Sequence, residues 1–232
     1  MKRASQIFVL CLVTILLTSS RTTQPPVVVY VYDALCGWCY GFSPVMAKAE
    51  QQFSDKALFR VVSGGLRIDQ GVGTINDLAP FIKTAYKDVE KATGVKFGEA
   101  TVNNLIKTGA MHLNSLPAAI AMSIVKERNL ALSLAYTRQL HKMIYVDGHD
   151  PEAINQYAVY AAAVGLDTAG FTTAMRSQKY EQQARADFAY AATIGVTGFP
   201  AVFIARDGKL TRLTNGYVGW EELEKQLQAG LR

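Results

Sequence analysis

Val27-Val28-Val29-Tyr30-Val31-Tyr32-Asp33-Ala34-Leu35-Cys36-Gly37-Trp38-Cys39-Tyr40-Gly41-Phe42 decides how this chain is read. The first six residues are β-branched or aromatic, the composition of a buried strand. From Trp38 onward, apolar residues at Phe42, Val45, Met46, Ala49 and Phe53 keep helical spacing. Cys36 and Cys39 therefore fall at a strand-to-helix junction, an arrangement suited to thiol–disulfide exchange. The first thiol stands at a helix N-terminus, where unpaired amides and the helix dipole favour a thiolate. The second lies one turn further in.

No other cysteine competes with this pair once the N-terminus is considered. Lys2 and Arg3 precede Ile7–Leu17, in which ten of eleven residues are apolar, and Thr18, Ser19 and Ser20 follow. The pattern predicts a cleaved signal peptide over residues 1–20, too short to span a bilayer comfortably. Cleavage removes Cys11 and leaves an exported chain, best suited to a bacterial periplasm, whose only thiols form one Cys-x-x-Cys. A ring that short restricts the unfolded chain little, so its use is not structural stapling. Zinc would need further ligands, and His112, His141 and His149 show no ligand spacing, so no metal is expected. His141 and His149, flanking Tyr145 and Asp147, read as a solvated helix end. The formal charge of +5 falls by two with Lys2 and Arg3. So mild a balance points to neither nucleic acid nor lasting membrane association.

Beyond a polar leader at 21–26, the chain alternates in texture. Leu58–Ser63 reads as a second strand, closed by Gly64-Gly65, and pairs in parallel with the first through a right-handed crossover. Residues 67–178 are Ala-rich and helix-periodic, with Asp77 expected to cap a helix to Lys87 and Ser115-x-Pro117 to open another to Arg128. Ala131–Tyr145, Asp150–Gly165 and Asp167–Ser177 are read as three more. Lys179–Ile194 is helical, Ala201–Ala205 is a strand, and Arg206-Asp207-Gly208-Lys209 turns it into Leu210–Thr214. A last helix from Glu221 aligns Leu223, Leu227 and Leu231.

This order of elements resembles the DsbA-like branch of the thioredoxin superfamily. Cys36-Gly37-Trp38-Cys39 after the first strand, Pro44 five residues past the second cysteine, and Gly195-Val196-Thr197-Gly198-Phe199-Pro200 before a strand all match. The resemblance implies an α/β fold: a thioredoxin-like core, a mixed sheet flanked by helices, over 27–66 and 179–232. An all-helical insertion fills 67–178. Cys-Gly-Trp-Cys-Tyr is also similar to exported disulfide isomerases of the family.

The resemblance also implies roles. Cys36, with its sulfur facing solvent, is the attacking thiol, and Cys39 the buried resolving one. Pro200, in the cis form, presents the backbone of Phe199 beside Cys36, where an extended client segment pairs as a short strand. Gly37, Trp38, Gly198 and Phe199 are the implied substrate-binding positions, with Trp38 divided between an exposed contact and helix core. Phe199 departs from the Val, Thr or Ile usual before this proline. Relatives often bury a carboxylate six residues before the first cysteine, where this chain has Tyr30. Asp33, three residues before Cys36, is the candidate for proton transfer, although a turn or cap role is the plainer reading. The expected function is disulfide exchange with client proteins, recycled by a separate redox partner and needing no cofactor. The chain is expected to be a monomer, because only a short leader precedes the first strand. Its direction, oxidase, isomerase or reductase, stays open, and a non-catalytic peptide-binding or chaperone module on the same fold is the alternative.

Overall fold

A computed structural model describes residues 24–232. The expected signal peptide, Cys11 and the first half of the leader lie outside the described residues. Strand β1 (Val27–Tyr32) leads through a short turn into α1 (Gly37–Phe53), which returns to β2 (Leu58–Ser63). β1 and β2 pair in parallel, with Tyr30 opposite Val61. After the middle of the chain, β5 (Ala201–Arg206) pairs antiparallel with β1 and β6 (Lys209–Asn215) with β5, giving the order β2-β1-β5-β6. Asp207 at φ 50° and Gly208 at φ 74° form the hairpin turn between them, as two positive φ values require.

β1 is central, and all its residues but Val27 are buried. Its side chains alternate between two layers, as strand geometry demands. Val28, Tyr30 and Tyr32 join the large core with Cys39, Phe42 and Met46 of α1, while Val29 and Val31 meet Val62, Phe203 and Ala191 on the opposite face. Ala191 belongs to α7 (Gln178–Thr193), and the C-terminal α8 (Trp220–Gly230) buries Leu223 and Leu227 against the first face.

Between β2 and α7 run α2 (Ile82–Thr93), α3 (Leu116–Arg128), α4 (Ser133–Tyr145), α5 (Gln156–Ala162) and α6 (Phe171–Ala174). This helical stretch also carries a small antiparallel pair, β3 (Gly73–Thr74) with β4 (His112–Leu113). Every residue of α3 from Pro117 to Val125 is buried, so it is a central helix with no polar stripe. Lys126 on α3 and Asp187 on α7 form a largely buried pair at 2.7 Å, and Asp187 also accepts the Ser63 amide at the end of β2.

Several helix starts differ from the sequence reading. Asp77 caps a single 3-10 turn by accepting the Thr74 amide and hydroxyl, so α2 begins only after Pro80 and runs on to Gly94, at φ 79°. Asp150 accepts from Glu152 and pairs with His112, which spends it on a turn and delays α5. Leu130–Leu132 are 3-10, α6 shrinks to one turn, and a π-helical turn at Thr101–Ile106 carried no sequence signal. Among the described residues no helix is long and apolar enough to cross a membrane.

Candidate active site

The turn Asp33-Ala34-Leu35 sets the first cysteine. The Cys36 amide donates to the Asp33 carbonyl at 3.1 Å, and Cys36 then becomes the N-cap of α1. Both cysteines are free thiols. Across the sheet, the Phe199–Pro200 peptide is cis, and the Phe199 carbonyl lies 3.6 Å from Cys36 Sγ. A loop 163 residues away in sequence is thus placed against the helix terminus.

Cys36 is not open to bulk solvent as expected; only 8% of it is exposed. It is reached through a cleft of about 400 Å³, lined by Cys36, Gly37, Trp38, Gly198 and Phe199 on one side. The opposite wall comes from the helical stretch, with Ile75, Leu78, Ile82, Val89, Phe97 and Met111. The enclosure follows from α2 and the 3-10 turn before it folding over the motif. Trp38 is 39% exposed, with its ring 5.9 Å from that of Tyr217, so it stands at the rim rather than in the core.

Cys39 is wholly buried, and burial pushes its thiol pKa well up, with the hydrogen bond to Cys36 adding to the effect. It therefore keeps its proton until something removes it. Asp33 is 2% exposed. Its carboxylate accepts the Leu35 amide at 2.9 Å, the Leu66 amide at 2.8 Å and the Ser115 hydroxyl at 3.1 Å. Burial raises its pKa, and these bonds hold the rise in check. Asp33 is at once a turn residue and a buried carboxyl beside the cysteine pair. The Tyr30 hydroxyl is buried with no oxygen or nitrogen partner, and the nearby sulfur of Cys39 is the polar group closest in character to one.

His141 corrects the sequence reading. Instead of ending a helix in solvent, it is completely buried under the motif, its ring 5.8 Å from Tyr32 and 6.1 Å from Tyr40. Nδ1 lies 2.8 Å from Ser43 Oγ, a hydroxyl shared with the Cys39 carbonyl, and Nε2 lies 3.4 Å from the Asp33 carbonyl. Burial lowers its pKa to about 4, so it is a neutral polar strut at pH 7. Leu134, Thr137, His141 and Ile144 share the inward stripe of α4. His149 and His112 lie elsewhere. Among the described residues no group of three or more His, Cys, Asp or Glu is placed to hold a metal ion.

A DSBA-like thioredoxin domain model matches residues 27–228. The chain belongs to the DsbA-like thioredoxin family. A protein of Nitrosomonas europaea, provisionally described as a protein disulfide isomerase, superposes with a TM-score of 0.77 at 23% identity, over 89% of this chain and 97% of its own. The cytosolic disulfide reductase DsbM of Pseudomonas aeruginosa gives 0.72 at 26% identity, over 88% of this chain and 99% of its own. The same reductase with GSH gives 0.68 at 25% identity, over 87% and 99%. No curated protein matches the chain by sequence.

Proposed function

We propose that this protein is a dithiol oxidoreductase that exchanges disulfides with client proteins through Cys36 and Cys39. One observation carries the reading: Cys36 Sγ lies at a helix N-cap beside the Phe199 carbonyl, with the buried Cys39 thiol one turn below. In the reducing direction, the Cys36 thiolate attacks a client disulfide sulfur, the client S–S bond breaks, and one client thiolate leaves. Cys39 then loses its proton and attacks Cys36 Sγ, releasing the second client thiolate and closing the Cys36–Cys39 disulfide. The oxidising direction is the reverse. Asp33 is the group we assign to take and return the Cys39 proton, directly or through water. Pro200 fixes the loop, and Gly198 and Phe199 offer backbone to an extended client.

Replacing Cys36 with Ser abolishes exchange, and replacing Cys39 with Ala traps covalent mixed disulfides on denaturing non-reducing gels. Full activity of Cys36→Ser would leave only the peptide-binding module. The potential of the pair in a glutathione buffer sets direction: near roughly −120 mV for a disulfide donor, about −180 to −270 mV for an isomerase or reductase. The Pseudomonas relative, a reductase solved with GSH, supports the second range. Export rests on Lys2, Arg3 and Ile7–Leu17, whereas that relative is cytosolic; N-terminal sequencing of the protein from fractionated cells decides between them.

A further inference from the structure

Arg67 is the one charged residue among the described residues that line the cleft. Its backbone is held at both ends by one serine: the Arg67 amide donates to Ser115 Oγ at 2.9 Å, and the Arg67 carbonyl accepts the Ser115 amide at 2.8 Å. Nε is buried without a hydrogen-bond partner, and among the described residues the guanidinium makes no ion pair. Asp77 is within electrostatic reach, but its Oδ2 accepts both Thr74 bonds and it forms no ion pair with Arg67. A guanidinium therefore shares a largely apolar cleft with Cys36 and has no ion-pair partner among the described residues. Guanidinium groups in such settings recognise carboxylates, by parallel N–H donors and by charge. Much of the remaining wall, including Ile75, Leu78, Ile82 and Val89, is apolar, with hydroxyls only on Tyr86, Tyr145 and Thr197, and a volume near 400 Å³ is that of a small-molecule site.

Resting on the exchange reading above, we infer that the cleft admits low-molecular-weight thiols and disulfides carrying a carboxylate near the sulfur, and that Arg67 selects them. In the step concerned, Cys36 thiolate attacks one sulfur of the small disulfide while Arg67 holds its carboxylate. The S–S bond breaks, a carboxylated thiolate leaves, and Cys39 completes the transfer as before. Arg67 touches the substrate and not the reacting sulfurs, so it sets specificity.

The test uses three disulfides that differ in charge: 3,3′-dithiodipropionate, bis(2-hydroxyethyl) disulfide and cystamine. Each is mixed with the reduced full protein, and oxidation of the Cys36–Cys39 pair is followed by stopped-flow fluorescence. The dicarboxylate is expected to react fastest. Arg67→Gln should slow it by about 10- to 100-fold, with the neutral disulfide changed by less than about twofold and Arg67→Lys intermediate. Equal slowing of all three, or none, overturns the inference and leaves the exchange reading intact. If no disulfide reacts, exchange itself fails. Calorimetric binding of unreactive 3-(methylthio)propionate, against its ethyl ester, then judges Arg67 separately. Binding that Arg67→Gln abolishes for the acid alone sustains the inference, and binding indifferent to charge or absent overturns it.

Discussion

Gly64 and Phe199 are fitted to each other: a Cβ built on Gly64 would stand 2.0 Å from Cε1 of the Phe199 ring. Real Cβ atoms never come so close. The aromatic ring before the cis proline therefore fits only because the residue following β2 has no side chain. Adding a methyl at 64 must swing the ring and carry with it the carbonyl that faces Cys36. Gly64→Ala is expected to lower exchange with client proteins at least about tenfold and stability by about 1–3 kcal/mol. The double variant Gly64→Ala/Phe199→Val should recover much of both, because the smaller side chain vacates the space. Additive losses, measured by urea melts and insulin reduction, would refute the pairing.

Asp33 ties its predicted effect to one step. Because burial raises its folded pKa, the protonated form is the better tolerated one. Its stabilising contribution is complete below the ordinary value of 3.8 and is lost as pH rises through the raised value. Asp33→Asn should flatten that part of the stability profile. It also replaces one acceptor with a donor where Leu35, Leu66 and Ser115 all donate. If Asp33 handles the Cys39 proton, mixed disulfides should form at the normal rate and resolve at least about tenfold more slowly. Quenched-flow trapping separates the two rates, and an unchanged resolving rate returns Asp33 to a purely turn-forming residue.

His141 gives a pH dependence of opposite sign. Its folded pKa of about 4 lies below the ordinary 6.5, so the unfolded chain binds the proton more readily between these values. Stability from this residue is full above about 6.5 and declines as pH falls toward 4, by about 2.5 kcal/mol at pH 4.5. His141→Phe removes the dependence without orphaning its neighbours, since Ser43 keeps the Cys39 carbonyl and the Asp33 carbonyl keeps the Cys36 amide. Denaturant titrations at three pH values check it; an acid limb that persists in the variant assigns it to another group.

Tyr30 carries a hydroxyl with nowhere to go. Removing a buried, unpartnered polar group is favourable, so Tyr30→Phe should stabilise the protein by about 1 kcal/mol. A loss of similar size would mean instead that Cys39 sulfur serves as a working acceptor, and the same variant would then alter Cys39 reactivity toward alkylating agents.

The thioredoxin-like part of the fold was legible because its signals are local. The run Val27–Tyr32, the spacing of Phe42, Met46, Ala49 and Phe53, and Asp207-Gly208 each fix one element. The motif cysteines and Phe199-Pro200 were legible for the same reason, although the distance between them is a product of folding. What escaped was non-local. Nothing in the spacing of Ile75, Leu78, Ile82 and Val89 says that they turn toward Cys36 rather than toward one another. Asp77 and Asp150 are cap-forming residues spent on short turns, and either use satisfies the same carboxylate. His141 lies on an apolar stripe, but its burial depends on α4 docking against α1, which no window of sequence contains.

Ser115 stands where the helical stretch meets the motif turn. Its hydroxyl donates to the Asp33 carboxylate and accepts from the Arg67 backbone amide, so one atom of the helical stretch ties the turn before Cys36 to the lining of the cleft. The two halves of the chain are therefore not interchangeable parts. A graft of this helical segment onto another thioredoxin-like core would bring along its own choice of guests but arrive without the carboxylate that anchors it. Excising the segment to make a miniature enzyme would strip the lining from Asp33 as well as the roof from Cys36. Diversity among such proteins is then easiest to generate at Ile75, Leu78 and Ile82, which line the cleft without holding that joint together.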